Sequence, residues 1–280
     1  MNLDLHNKNA IVCGSTQGIG KCIAIELAKL GAKVTLIARN EDALKAAVQE
    51  LDGNGHHYLV ADFSNPDQLK EKIAGATANK NYNILVNNTG GPAGGPITDA
   101  TIEAFLSAYN MHLVCNHILA QALVPGMKTE KYGRIINIIS TSVKQPLKGL
   151  GVSNTTRGAV ASWAKTMAGE LGEFNITVNN VLPGATNTVR LESIIENKSN
   201  KTGQSIDDVS KAMTSQVPMA RFAEPEEIAN VAAFLASPAA SYVNGVSIPV
   251  DGGRTKSFKS ITNTEVLFTF TERTRKWKEF

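Results

Sequence analysis

The chain predicts an α/β fold, a single doubly wound parallel sheet of about seven strands, and two observations lead there. Short apolar runs rich in valine, isoleucine and leucine recur at intervals, and stretches with apolar residues at helical spacing separate them. Strands joined by whole helices lie parallel and buried on both faces, and right-handed crossovers then favour the doubly wound topology.

The first strand covers residues 9–13; glycine-punctuated sequence follows, then a helix over 18–30 that Gly31 stops. A strand at 33–38, a helix at 41–51, a strand at 57–60, a helix at 66–78 and a strand at 84–87 repeat the alternation. A long helix around 102–123, a strand at 134–139, a helix over about 154–171 and a strand at 177–181 come next. A helix near 225–235 leads into the last short strand at 246–250.

Two segments break the pattern. Residues 191–219 are polar and follow a strand end, which suits a mobile substrate lid within a domain spanning 1–253. Residues 254–280 form a basic extension ending in Lys276, Trp277, Lys278 and Phe280, expected to be a peripheral or subunit-contact arm.

A chain of 280 residues, 42% hydrophobic and 19% charged, has the make-up of a folded globular protein. A formal charge of +3 supplies no strong pull toward nucleic acid. Cys13, Cys22 and Cys115 are few and far apart, which suits a reducing compartment, and no apolar run is long enough for a signal peptide or membrane span. A cytoplasmic protein with no nucleic-acid or membrane partner is therefore expected. His6, His56, His57 and His117 lack ligand spacing, so no metal is expected.

Chemistry concentrates first in Gly14-Ser15-Thr16-Gln17-Gly18-Ile19-Gly20, placed where a strand turns into a helix. Glycines there allow a tight turn and let backbone N–H groups approach a pyrophosphate closely. After the second strand, Ile37 and Ala38 offer no acid to hold a ribose hydroxyl, whereas Arg39 can face an added phosphate. NADP is expected over NAD, which stays open as the second choice.

With these residues the chain resembles the short-chain dehydrogenase/reductase family. Gly14, Gly18 and Gly20 match its glycine motif, with Cys13 where threonine is common. Asp62 matches its adenine-contacting aspartate, and Asn87-Asn88-Thr89-Gly90 its asparagine-asparagine-alanine-glycine motif, with Thr89 replacing alanine. Pro183-Gly184 followed by Thr188 resembles the segment beside the nicotinamide, and Asp251-Gly252-Gly253 the family ending. The resemblance implies a Rossmann-type oxidoreductase domain that forms a homodimer or homotetramer.

It also implies a catalytic set that this chain meets only in part. Ser140 matches the serine that positions a substrate carbonyl; thirteen residues on, Ser153 stands where tyrosine is expected, and four beyond it Arg157 replaces lysine. Counting back from Pro125, His112 falls at the usual asparagine, with Asn110 nearby. Serine lacks the phenol that titrates near ~10, so proton transfer passes to another group. His112 is the first candidate because a histidine titrates near ~6.5, Tyr109 on the same helix is a weaker one, and Arg157 keeps a fixed charge that can hold a ribose. Lys144 reads as a solvated side chain.

The leading expectation is an NADP-dependent carbonyl reductase or alcohol dehydrogenase, with 3-oxoacyl thioesters among the candidate substrates. The alternative is a nucleotide-binding or assembly protein that has kept the fold and lost the chemistry. A lyase or isomerase without net hydride transfer is a third class.

Overall fold

The structure, a computed structural model, describes residues 1–256; residues 257–280, nearly all of the expected basic extension, lie outside the described residues. Seven parallel strands form one sheet: β1 (Asn9–Cys13), β2 (Lys33–Ala38), β3 (His57–Val60), β4 (Ile84–Asn87), β5 (Gly133–Ile138), β6 (Ile176–Pro183) and β7 (Ser247–Val250). Their spatial order, β3-β2-β1-β4-β5-β6-β7, makes the chain start mid-sheet and wind outward in both directions. The resulting switch point lies between β1 and β4, where open parallel sheets leave a crevice beyond the strand ends.

Why the strands read as unbroken apolar runs is clear from their two faces. Val12, Val34, Leu36, Ile84, Val86, Ile136, Ile138 and Val181 pack toward α1 (Gly18–Lys29) and α9 (Pro225–Ala236). Alternate residues Ile11, Ile37, Leu85, Ile135 and Val178 pack toward α3 (Pro66–Thr77), α5 (Cys115–Glu130) and α6 (Gly151–Leu171). The five inner strands thus need apolar side chains at both parities, while the edge strands β3 and β7 are partly exposed. On the α5 and α6 side the pattern admits a polar row: Asn87 donates to Asn137 (2.8 Å), Asn137 to Asn180 (2.9 Å) and Asn180 to Ser247 (3.0 Å). Each amide NH2 in that row has an acceptor, while Asn87 Oδ1 has no partner among the described residues, and a shift of register by one residue would break the whole row.

Helix starts follow local chemistry. Asn40 caps α2 (Glu41–Gln49), Asn65 caps α3 ahead of Pro66, and Thr101 caps α4 (Ile102–Tyr109). The expected long helix at 102–123 runs further, to Glu130, and in three pieces: α4, a wider turn at Asn110–Val114, and α5. Pro125 lies inside α5, which continues through it. In the wide turn Cys115 N–H donates back five residues to Asn110, the bond of a π-bulge.

The polar segment after β6 is more ordered than its composition suggests. It forms α7 (Val189–Thr202), capped by Thr188 and ended by Gly203 at φ +71°, and α8 (Ile206–Thr214), capped by Ser205. Leu191, Ile195 and Val209 bury against each other with Ala185, Met213 and Phe222. This small core is separate from the two main ones, so α7 and α8 form a helical pair set beside the sheet.

Candidate functional site

Beyond β1 the chain turns at Gly14, whose φ of +58° favours glycine and whose N–H donates to Ile37 at 2.8 Å. Space forbids a side chain as firmly as the dihedral does: a Cβ on Gly14 would lie 2.5 Å from the Asn88 carbonyl oxygen, and one on Gly20 would run into the Gly14 carbonyl. Asn88 Nδ2 donates to the carbonyls of Cys13 and Gly14, both at 3.2 Å, and so joins this turn to the end of β4. Gly18 opens α1 at φ +54°, facing the methyl of Thr188. Gln17, at the N-cap of α1, makes no capping bond and no acid sits in the first turn, which leaves the helix N-terminus free for an anion.

Around that turn, Thr16 and Ile19 are half-buried and Ile19 packs on the core, while Ser15 is fully buried with a hydroxyl that has no partner among the described residues. An unpartnered buried hydroxyl, two positive-φ glycines and an uncapped helix start together fit the pyrophosphate of a dinucleotide. Arg39 emerges exposed past β2. The Asp62 carboxylate beyond β3 is held below its ordinary range, first by the Ser64 backbone N–H at 2.9 Å and in smaller part by the Arg39 charge. Arg39 and Asp62 therefore flank the same end of the crevice, the first as a free cation and the second as an acceptor.

On the other side of the switch point three residues meet. Thr89 Oγ1 lies 2.6 Å from His112 Nδ1, and the Thr89 carbonyl accepts from Arg157 Nη2 at 3.4 Å. Arg157 Nη1 donates to the Ile138 carbonyl at 3.2 Å, two residues before Ser140. Arg157 is buried without a carboxylate, and desolvation lowers its pKa to about 10, so it stays cationic at neutral pH. His112 projects inward from the π-bulge, 1% exposed, with Nε2 unpartnered. Burial above all, and the Arg157 charge next, depress its pKa to about 3. The expectation of a histidine titrating near ~6.5 is thereby corrected: at pH 7 this ring is neutral.

Ser140 is half-buried at the end of the β5 region, and its Oγ accepts from the Ser142 N–H at 3.1 Å. Ser153 and Arg157 both lie on α6, which begins at Gly151, three residues earlier than the sequence pattern suggests. Ser153 is half-buried; Tyr109 and Lys144 are exposed. Asn154, unremarked in the sequence, clamps the loop above: its Nδ2 donates to the Leu147 carbonyl at 2.8 Å. Thr89 was visible only as a departure from alanine, and no sequence signal marked Asn154.

Pro183 and Gly184 end β6 close to the β7 turn; a Cβ on Gly184 would fall 2.8 Å from the Asp251 Cα. Arg190, in the first turn of α7, donates to the Pro92 carbonyl at 3.0 Å and links the helical pair to the segment after β4. Gly90 is exposed on that segment. Contacts thus run from Gly20 and Gly14 to Asn88 and from Thr89 to His112 and Arg157, with Thr188 against Gly18 in the same turn; Ser140 and Ser153 make no hydrogen bond to these residues. Among the described residues no His, Cys, Asp and Glu group could hold a metal, and no helix is long and apolar enough to cross a membrane.

The 7alpha-hydroxysteroid dehydrogenase of Escherichia coli strain K12 is 34% identical over 257 residues, covering 90% of this chain and 96% of that protein. A tropinone reductase homolog of Arabidopsis thaliana is 33% identical over 255 residues, 90% of this chain and 93% of its own. The L-sorbose reductase of Gluconobacter frateurii, solved with NADPH and L-sorbose, superposes with a TM-score of 0.86 at 32% identity, covering 92% of this chain and 100% of that one. The family model described as enoyl-(acyl carrier protein) reductase matches residues 14–255. With the seven-stranded order and the glycine turn at its switch point, these likenesses place the chain in the short-chain dehydrogenase/reductase superfamily of oxidoreductases.

Proposed function

We propose that the protein is an NADP(H)-dependent reductase or dehydrogenase acting on a small carbonyl or alcohol substrate. The observation that carries it is the cradle at Gly14, Gly18 and Gly20 with Arg39 at its adenosine end and no acid at Ile37 or Ala38, where β2 ends. Gly14 to Gly20 would bind the pyrophosphate, Arg39 the extra phosphate, Asp62, Asn88 and Gly90 the adenosine side, and Pro183, Gly184 and Thr188 the nicotinamide side. When bound, the nicotinamide would supply or accept the hydride.

This chain's own residues then divide the remaining tasks. Ser140 donates its hydroxyl to the substrate oxygen. Arg157 holds the ribose with the N–H groups not used on Ile138 and Thr89, as a fixed cation that exchanges no proton. Ser153 stands where the family has tyrosine and serves as a neutral hydroxyl. His112, neutral beside Arg157 and bonded to Thr89 through Nδ1, would take part in proton transfer as a neutral ring and does not act as an imidazolium reservoir.

A 3-oxoacyl thioester is the substrate class suggested by a 32% identical 3-oxoacyl-[acyl-carrier-protein] reductase of Rickettsia bellii. Assembly as a homodimer or homotetramer is supported by Ile102, Leu106 and Tyr109, exposed along one face of α4. The alternative, a nucleotide-binding protein without turnover, draws on the locked Arg157 and on Ser153. Titrating the protein with NADPH and NADH, then screening carbonyls and alcohols at 340 nm, tests both. Tight NADPH binding with turnover supports the enzyme, tight binding without turnover the alternative, and a preference for NADH defeats the cofactor assignment.

A further inference from the structure

One residue past Ser140, two chain segments from distant parts of the sequence meet around a shallow open depression of about 10 Å³, room for about one water molecule. Its walls are Thr141, Gln145 and Leu147 from the loop after β5, and Arg254 and Thr255 from just past β7. Arg254 is half-buried, donates to Gln216 Oε1 at 3.2 Å, and pairs with no carboxylate among the described residues. The nearest acid along the chain, Asp251, is already occupied: its two oxygens accept from the backbone N–H groups of Gly253 (3.0 Å) and Thr255 (2.7 Å). Lys144 and Lys148 lie exposed on the same loop, and Arg190 lies across the crevice. Asn154 holds that loop in place through Leu147, so the depression has a fixed wall.

We propose that Arg254, with Thr141, Gln145 and Thr255, forms a seat for an anionic group of the substrate, one residue along the chain from the Ser140 that faces its carbonyl. This rests on the carbonyl-reductase assignment and narrows it to carbonyl compounds bearing a carboxylate or phosphate near the reacting carbon. The physical reason is economy of charge: a half-desolvated guanidinium with four unused N–H donors gains most from a bidentate oxyanion, and a neutral ligand leaves those donors unmet.

The test pairs charged and neutral forms of one carbonyl with the full chain: acetoacetate against methyl acetoacetate for the carboxylate, dihydroxyacetone phosphate against dihydroxyacetone for the phosphate. The ratio of kcat/KM, charged over neutral, is expected to fall roughly tenfold to a hundredfold in Arg254→Gln and to be partly restored in Arg254→Lys. A ratio near one in the native protein, or one that Arg254→Gln leaves unchanged, overturns the seat. Independently of turnover, acetoacetate or inorganic phosphate should raise the melting temperature of the NADP+ complex in the native chain and not in Arg254→Gln. If no compound is reduced while this differential shift is seen, the redox assignment fails and the anion seat stands; if the two proteins shift alike or not at all, the seat fails whatever the turnover.

Discussion

Thr89 Oγ1 and His112 Nδ1 meet at 2.6 Å across the seam between the end of β4 and the π-bulge of the α4–α5 helix. That contact, with the Arg157 charge beneath it, decides how His112 can behave. In the native state the ring stays neutral down to about pH 3, whereas the unfolded chain takes up a proton below about 6.5. Stability contributed by the neutral ring is therefore complete above pH 6.5 and lost as pH falls toward 3, with a slope of up to about 1.4 kcal/mol per pH unit. Comparing urea midpoints at pH 7, 5 and 4 should show a shallower acid decline in His112→Asn than in the native protein; parallel declines would mean that the ring titrates normally.

Turnover should carry the same signature. With His112 neutral, kcat/KM is expected to show no inflection near pH 6.5, the value an unperturbed histidine would give. His112→Ala should lower kcat by a factor of roughly 100 or more and Thr89→Val by somewhat less, non-additively in the double variant, while Tyr109→Phe leaves it near native. A sharp loss in Tyr109→Phe would move the proton path to the α4 surface.

Arg39→Asp should weaken NADPH binding by roughly tenfold or more and strengthen NADH, because it replaces a phosphate-pairing guanidinium with an acceptor for ribose hydroxyls. Fluorescence titration of both coenzymes reads the exchange directly. Unchanged NADPH affinity would leave Arg39 as a solvated side chain.

Gly20→Ala is expected to abolish coenzyme binding and to destabilise the fold, since its Cβ would meet the Gly14 carbonyl and lie 2.6 Å from Asn88 Nδ2. Native-like binding in this variant would show that the turn can open. Coenzyme-induced melting shifts, read beside the melting temperature itself, separate the two effects.

Ala220 sits at φ +54°, a left-handed conformation that costs an L-residue about 1 kcal/mol and costs glycine little. Ala220→Gly should therefore raise stability by roughly 0.5 kcal/mol after glycine's extra chain entropy is subtracted. A lower denaturation midpoint would show that the methyl makes packing contacts worth more than the strain.

Much of this molecule was legible residue by residue. Strand runs at 9–13, 33–38 and 84–87 coincide with β1, β2 and β4, because a strand buried on both faces needs a continuous apolar run that no helix or loop requires at that length; the run at 57–60 coincides with the half-exposed edge strand β3. The glycine turn was equally readable, since Gly14 and Gly18 answer to backbone dihedrals that only the local chain sets. By contrast, residues 191–219 read as a polar substrate lid with no helices marked in it, because Leu191, Ile195 and Val209 become a core only when α7 and α8 lie together. The protonation of His112, the burial of Arg157 against the carbonyls of Ile138 and Thr89, and the meeting of Arg254 with Thr141 were decided by tertiary structure alone. Dihedral preference and apolar spacing belong to neighbouring residues, whereas desolvation and the partner of a charge are fixed by whatever the fold brings from elsewhere in the chain.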